Sequence, residues 1–135
     1  MALRYLLDTN ILSDLVRRPR GPVAERIYVV GEEAVCTSVI VAAELRYGAA
    51  MAESSRLAER VDVLLSVLGI LPLELPVDQY YAEIRHSLAK RGMPIGPNDL
   101  LIAAHAMAAG LTLVTANTRE FDRIQSLQIE NWLPE

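Results

Sequence analysis

The chain has 135 residues, enough for one domain with a substantial core, and 52% of them are hydrophobic although only 5% are aromatic. That composition predicts an interior of alanine, leucine, valine and isoleucine, as in helices packed on a sheet. A formal net charge of −4 argues against a protein that coats nucleic acid by electrostatics alone, but it leaves room for an enzyme with a local basic surface.

The cysteine content and the hydropathy of the chain indicate the cellular compartment in which the protein is expected. The single cysteine, Cys36, permits no disulfide within the chain, fits a reducing compartment and is expected in the core. The N-terminus has no basic segment followed by a long apolar run, and no apolar run approaches the ~20 residues of a membrane span. We therefore expect a cytoplasmic protein that makes no contact with a membrane.

The first apolar run stops abruptly at an acid, Asp8. Leu6 and Leu7 predict a buried strand, and the apolar spacing over residues 11–16 predicts a helix directly after it. Because open α/β sheets bind ligands at the carboxyl ends of their strands, Asp8 is expected at the rim of a crevice. Alternatively, Asp8 or Thr9 serves only as the N-cap of the helix, since both residue types are favoured there.

Helices and strands alternate along the rest of the chain. Helices are predicted over residues 23–30, 39–50, 54–68, 78–91 and 100–109, and most of them are closed by a glycine. Strands are predicted over residues 34–37, 71–77, 111–115 and 127–129. The strand at 71–77 is expected at an edge because Pro72 and Pro76 interrupt it, and Trp132 is expected to anchor the C-terminal segment. This order predicts a single α/β domain over residues 1–135, with a short, mostly parallel central sheet and helices on both faces.

Acidic side chains recur where strands end or helices begin. Asp99 opens a helix after a loop of glycine and proline, and Glu120 lies shortly after a predicted strand. Glu44 lies within an apolar helix, where a carboxylate is costly to bury unless it pairs or binds a metal. Pairing with Arg46 is not expected, since residues two apart on a helix face different ways. Simpler explanations stay open: Asp99 as a first-turn acid of its helix, and Glu44 as part of a solvated stripe.

Several carboxylates in one cleft repel one another and resist ionisation, and a divalent cation removes that conflict. Hard oxygen ligands suit Mg²⁺ or Mn²⁺. A zinc site is not expected, because the only histidines are His86 and His105, and His105 lies in an apolar run typical of a packing residue. Nucleotide-cofactor chemistry has no support, because the chain has neither a Walker-type loop nor a dinucleotide-binding glycine motif.

The chain resembles PIN-domain ribonucleases, and more narrowly the VapC toxins of type II toxin–antitoxin pairs. The resemblance covers nearly the whole chain and lies in four segments. In order, these are Leu-Leu-Asp8-Thr9-Asn10, Glu44-Leu-x-x-Gly48, Gly96-Pro-x-Asp99-x-x-Ile102 and Thr115-x-Asn117-x-x-Glu120-Phe121.

For the site, the resemblance implies Mg²⁺ or Mn²⁺ held by acids at Asp8, Glu44 and Asp99. Our hypothesis is that Asp8 and Asp99 hold the metal directly, and that Glu44 does so directly or through water. The family's fourth acid corresponds to Asn117, which offers a carbonyl but no charge, so Glu120 is the alternative source of the last carboxylate. Further residues are expected to orient the acids, the attacking water or the substrate: Thr9, Asn10, Thr115 and Arg46.

For activity and partners, the resemblance implies a metal-dependent endoribonuclease that cleaves structured RNA such as tRNA. It also implies a homodimer, and a groove between N-terminal helices that takes the C-terminal part of a VapB-like antitoxin. The antitoxin would inhibit the enzyme and contact operator DNA within a toxin–antitoxin hetero-oligomer. The candidate walls of the groove are the apolar stripes over residues 11–16 and 57–64, for which core packing is the alternative.

Three questions stay open in the sequence. Some basic residues either form a rim for RNA phosphates or are scattered solvated charges: Arg17, Arg18, Arg20, Arg46, Lys90 and Arg91. The chain is alternatively a different metal-dependent phosphoesterase on the same sheet. It is also alternatively a non-catalytic binding module with decayed acids, for which Asn117 is the only hint.

Overall fold

The computed structural model describes residues 2–134. Within them, five strands span Tyr5–Leu7 (β1), Val35–Ser38 (β2), Gly69–Leu71 (β3), Thr112–Val114 (β4) and Ile129–Glu130 (β5). Seven α-helices of the same part of the chain span Thr9–Arg17 (α1), Pro22–Val30 (α2), Val39–Met51 (α3), Ser55–Val67 (α4), Val77–Lys90 (α5), Pro97–Ala108 (α6) and Thr118–Phe121 (α7). A 3-10 turn at Glu32–Ala34 precedes β2.

The strands form one parallel sheet in the order β3-β2-β1-β4-β5. Leu6 in the central strand lies opposite Cys36 on one side and Leu113 on the other. All three residues of β1 are buried, as expected for a strand whose two faces are both covered by helices. The predicted fold class is confirmed, and the carboxyl ends of all five strands lie along one edge of the sheet.

The helix boundaries follow local signals in the sequence. Ser54 caps α4 by accepting a hydrogen bond from the N–H of Leu57 at 3.1 Å. Gly92 and Gly110 follow α5 and α6 with φ of +69°, a backbone conformation that residues other than glycine rarely adopt. The predicted helices are therefore confirmed to within one to three residues at each end.

Two strand predictions differ from the structure. The strand predicted over residues 71–77 is wrong beyond Leu71, because the observed strand is Gly69–Leu71 and the chain then leaves the sheet. Pro72 and Pro76 have no N–H to donate to a neighbouring strand, which explains the early end. The edge position of β3 is as predicted, whereas the last strand begins at Ile129, two residues later than expected.

The core contains most of the residues expected there. Trp132 is 8% exposed and packs edge-on against Tyr5, with 5.1 Å between ring centroids, so its predicted anchoring role is confirmed. Cys36 is buried, and burial raises the pKa of its thiol to about 11. His105 is buried with its Nδ1 2.8 Å from the hydroxyl of Ser38, as expected of a packing residue.

Several residues of the two predicted apolar stripes also lie in the core. Core packing is the correct explanation for these: Ile11, Leu12, Val16 and Val61. Leu15, Leu57 and Leu64 are only partly buried. None of the helices within residues 2–134 is both long enough and apolar enough to cross a membrane.

Candidate active site

The site is built around Asp8, the first residue after β1. Its N–H donates to the carbonyl of Val114 at 2.8 Å, which extends the ladder between β1 and β4. Its side chain is 3% exposed: Oδ1 accepts from the N–H of Thr9 at 2.7 Å, and Oδ2 accepts from the hydroxyl of Thr115 at 2.7 Å. Asp8 is therefore the N-cap of α1, but capping accounts for only one of its oxygens, because Thr115 from the end of β4 holds the other.

The electrostatics of Asp8 reflect its burial. Desolvation raises the pKa of its carboxyl group, the bonds from Thr115 and Thr9 lower that pKa in part, and the charge of Glu44 raises it again. The fold thus holds an acid in a place that disfavours its charged form. Such an arrangement is typical of a functional carboxylate.

Glu44 joins the site through Thr9. The hydroxyl of Thr9 donates to Oε1 of Glu44 at 2.5 Å, so Thr9 contacts Asp8 through its N–H and Glu44 through its hydroxyl. The amide of Asn98 donates to Oε2 of Glu44 at 3.4 Å. Glu44 is half-buried on α3, and these contacts favour a place in the site over a solvated stripe. Asn98 was not predicted as a site residue, and its only signal in the sequence is its position directly before Asp99.

Asp99 lies in the first turn of α6, half-buried. The pKa of its carboxyl group is raised to about 6, first by burial and then by the charges of Asp8, Glu120 and Glu44 in that order of size. Because three other acids act on Asp99, four acidic side chains from four separate segments share this edge of the sheet. Gly96 caps α6 without a side-chain bond, so nothing in the contacts of this helix requires Asp99 as its cap.

The segment after β4 completes the site. Oδ1 of Asn10 accepts from the N–H of Ala116 at 2.9 Å, and Oγ1 of Thr115 accepts from the N–H of Asn117 at 3.0 Å. Asn10 and Thr115 therefore hold the turn that leads into α7. Of the two candidates for the fourth acidic position, Glu120 is the one whose charge reaches Asp99.

The basic candidates lie in different places. Arg46 forms an ion pair with Asp62 of α4 at 2.5 Å, and both side chains are more than half exposed. Arg17 ends α1, at the opposite end of that helix from Asp8 and about 13 Å away along its axis. Arg18 pairs with Asp14 near the same far end. Arg17 and Arg18 therefore do not border the acids, whereas Arg91 lies in the loop that leads to α6.

The donor set suits a hydrated Mg²⁺ or Mn²⁺. All the converging donors are hard oxygen atoms, and their mutual repulsion, visible in the raised pKa of Asp99, is relieved by a cation. Within residues 2–134, no three side chains of His, Cys, Asp or Glu are grouped closely enough to form a ready-made metal cage. Mg²⁺ is usually held by one or two carboxylates together with several waters, so Asp8 and Asp99 fit the metal without such a cage.

Comparisons with known proteins agree with this geometry. The PIN domain family model matches residues 5–127. The tRNA(fMet)-specific endonuclease VapC of Shigella flexneri is 36% identical over 134 residues, which cover 96% of this chain and 98% of the relative. Ribonuclease VapC2 of Rickettsia felis is 38% identical over 130 residues, which cover 95% and 97%.

Solved structures give the same assignment. VapBC2 from Rickettsia felis, bound to a DNA fragment from its promoter, matches with a TM-score of 0.87 and 36% identity over 98% of this chain and 100% of that one. DNA-bound VapBC from Salmonella typhimurium matches with a TM-score of 0.84 and 36% identity over 97% and 99%. The chain therefore belongs to the PIN domain family and, within it, to the VapC ribonucleases of toxin–antitoxin systems.

Proposed function

We propose that the chain is the toxin of a type II toxin–antitoxin pair, a Mg²⁺- or Mn²⁺-dependent endoribonuclease that cleaves structured RNA of the tRNA kind. The observation that carries this proposal is the convergence of four acidic side chains at the carboxyl edge of the sheet, with Asp8 buried and both of its oxygens held. The substrate class is supported by relatives from Shigella flexneri and Salmonella typhimurium, which are named tRNA(fMet)-specific endonucleases.

Three of the acids have roles in this proposal. Asp8 and Asp99 would hold the metal ion, which would neutralise charge on the scissile phosphate and lower the pKa of the attacking water. Thr9 and Thr115 fix the carboxylate of Asp8 so that it does not rotate away. Glu44, held by the hydroxyl of Thr9, orients the attacking water and accepts its proton as the water oxygen bonds to phosphorus. One P–O ester bond breaks, and its leaving oxygen takes a proton from solvent to become a hydroxyl end.

An antitoxin partner is the second part of the proposal, and an apolar groove supports it. The groove has a volume of about 690 Å³ and lies between α1, α2 and α4. Its apolar walls are formed by Leu15, Ala24, Ile27, Leu64, Val67 and Leu68. Glu32 and Glu33 line one part of it, so an apolar segment with a basic residue is the complementary occupant. Operator DNA is contacted through that antitoxin, as suits a chain with a net charge of −4.

We expect Val67→Asp to release the enzyme from inhibition by its antitoxin. Val67 is 80% exposed and lines the groove, so a charge there opposes an apolar partner without disturbing the core. Val63→Asp is the matched control, since Val63 is 61% exposed on the same helix and does not line the groove. RNA cleavage is measured against rising antitoxin concentration. Equal inhibition of both variants would show that the antitoxin binds elsewhere.

A homodimer is the third part, and a second apolar surface supports it. Leu75 is 83% exposed, and together with Leu73, Tyr81 and Leu101 it lines a shallow surface. We propose that a second copy of the chain covers this surface. Sedimentation of the partner-free chain is expected to show a dimer. A monomer at micromolar concentration would contradict this.

The test of the activity is direct. The chain, purified without any partner, is incubated with total RNA and Mg²⁺ or Mn²⁺, with EDTA in a parallel sample, and the new 5′ ends are sequenced. We expect a few discrete cuts that EDTA abolishes, because the acids repel one another without a cation. Intact metal binding without RNA cleavage would favour another phosphoesterase. Absence of both would favour the non-catalytic binding module.

A further inference from the structure

Two arginines, Arg91 and Arg123, each donate a side-chain hydrogen bond to a backbone carbonyl of a neighbouring segment. Arg91 follows the last residue of α5, and its guanidinium donates a hydrogen bond to the backbone carbonyl of Arg123. The guanidinium of Arg123 donates in turn to the backbone carbonyl of Pro94 at 3.0 Å. The two bonds fix both side chains in place, so each guanidinium is pre-organised rather than free to sample many rotamers.

The position of this pair relates it to two of the acids. Pro94 lies in the loop that delivers Asp99 at the start of α6. The N–H of Arg123 donates to the carbonyl of Glu120 at 3.1 Å, so Arg123 lies one turn after that acid. The pair therefore lies between the loop that leads to Asp99 and the segment that follows Glu120.

Within residues 2–134, neither arginine forms an ion pair. In the part of the chain that the structure describes, ion pairs involve Arg18, Arg26 and Arg46, and neither Arg91 nor Arg123 lies within ion-pair distance of a carboxylate. Each arginine donates to one neutral backbone carbonyl, and a guanidinium has five N–H donors. The remaining donors are arranged in the planar fork that matches a phosphate group.

A small cavity continues from Arg91. It has a volume of about 210 Å³, and its floor includes the buried side chains of Leu88 and Ile124. Ser87 and Ser126 line it as well and bring hydroxyl groups, and Glu83 lines it at the end away from Arg91 along α5. An apolar floor with hydroxyl groups beside it suits the ribose or base of a nucleotide that is splayed out of a stack, as proteins commonly bind single-stranded RNA.

We propose that Arg91 and Arg123 form a phosphate-anchoring subsite for a nucleotide of the RNA substrate that flanks the cut, with its nucleoside lying over this cavity. The proposal rests on the ribonuclease function proposed above and names the residues that hold the RNA chain next to the acids. An acidic site repels the RNA backbone, so fixed positive charge at its border is the complement that substrate binding requires.

The test uses Arg91→Met and Arg123→Met in a chain that also carries Asp8→Asn, so that RNA is bound and not cut. Binding of a fluorescently labelled tRNA transcript is measured over a series of salt concentrations at constant Mg²⁺. Each variant is expected to raise Kd about tenfold or more and to reduce the slope of log K against log salt by roughly 0.7, the value for one lost phosphate contact on single-stranded nucleic acid. Arg123→Lys, which keeps the charge, is expected to keep the slope.

Arg20→Met is the matched control, because it removes the same charge from an exposed loop beyond the far end of α1. Unchanged Kd and slope in the Arg91 and Arg123 variants would overturn the proposal. So would weaker binding with an unchanged slope, which indicates loop positioning alone, and so would a loss of antitoxin binding with RNA binding intact. A parallel cleavage assay uses the chain without Asp8→Asn. If that chain cuts no RNA, the proposed ribonuclease function itself has failed, and this outcome is distinct from those above.

Discussion

Asp8→Asn is expected to lower the rate of RNA cleavage on the order of 10³-fold or more while the fold is retained. In the proposed mechanism Asp8 holds the metal ion through a negatively charged carboxylate, and the neutral amide of asparagine does not supply that charge. The measurement is single-turnover cleavage of RNA by the purified variant, with a thermal melt in parallel. A folded variant with unchanged cleavage would remove Asp8 from the catalytic machinery.

The contacts around Asp8 explain why the fold should survive. An asparagine oxygen can accept from the N–H of Thr9, and its NH₂ can donate to Thr115, whose hydroxyl oxygen accepts as well as donates. Both hydrogen bonds of the buried side chain are therefore kept. A substitution to alanine would leave Thr9 and Thr115 without their partner and would be a poorer test.

The sign of the stability change follows from the raised pKa of Asp8. An acid whose pKa is raised by folding contributes stability in its neutral form, and that contribution is lost as the pH rises through the folded-state pKa. At neutral pH the buried carboxylate therefore destabilises the fold, and an amide avoids this effect. We expect the Tm of Asp8→Asn to match or exceed that of the unmodified chain.

The same variant allows a second test, which measures the pKa of Asp99. The pKa of Asp99, about 6, is raised first by burial and next by the charge of Asp8. Removing that charge should lower the pKa of Asp99 in metal-free protein, which carbon-detected NMR titration can follow. No movement would mean that the two acids do not share one site.

Phe121→Ala is expected to lower the free energy of unfolding by about 3–5 kcal/mol. Phe121 is fully buried and ends α7, a helix of only four residues that is too short to be stable alone. Its side chain therefore holds the segment of Asn117 and Glu120 against the core. Chemical denaturation measures the change, and activity should also fall because Glu120 loses its fixed position.

Phe121→Leu is the matched variant, since it keeps most of the buried apolar volume and should cost clearly less stability. If the alanine variant were as stable as the leucine variant, α7 would be held by contacts other than Phe121. If both were stable but inactive, the role of the ring would lie in the site itself.

Much of the fold follows from local signals. Glycines end the helices and apolar runs mark β1 and β4, so the alternation of strands and helices could be predicted from spacing alone. The alternation of Leu71, Leu73 and Leu75 resembles a strand, but Pro72 within it and Pro76 directly after it lack the backbone donors that pairing needs. In this segment the missing N–H groups end the strand at Leu71 although the apolar alternation continues.

The site was predictable only in part. Asp8 and Asp99 lie beside a strand end and a helix start, which local patterns reveal. The bond from Asn98 to Glu44 joins residues 54 positions apart, and the pairing of Arg46 with Asp62 joins α3 to α4. Both depend on how helices pack against one another, and neither residue spacing nor composition contains that information.

The strand order also constrains when activity can arise during synthesis. β1 is made first but lies between β2 and β4, and the bond from Thr115 to Asp8 spans 107 positions of the chain. A nascent chain that has not reached Thr115 has Asp8 without its hydroxyl partner, lacks Glu120 and leaves one edge of β1 open. Synthesis that ends before this point therefore yields a chain without a complete site, because the first strand needs the fourth to build it.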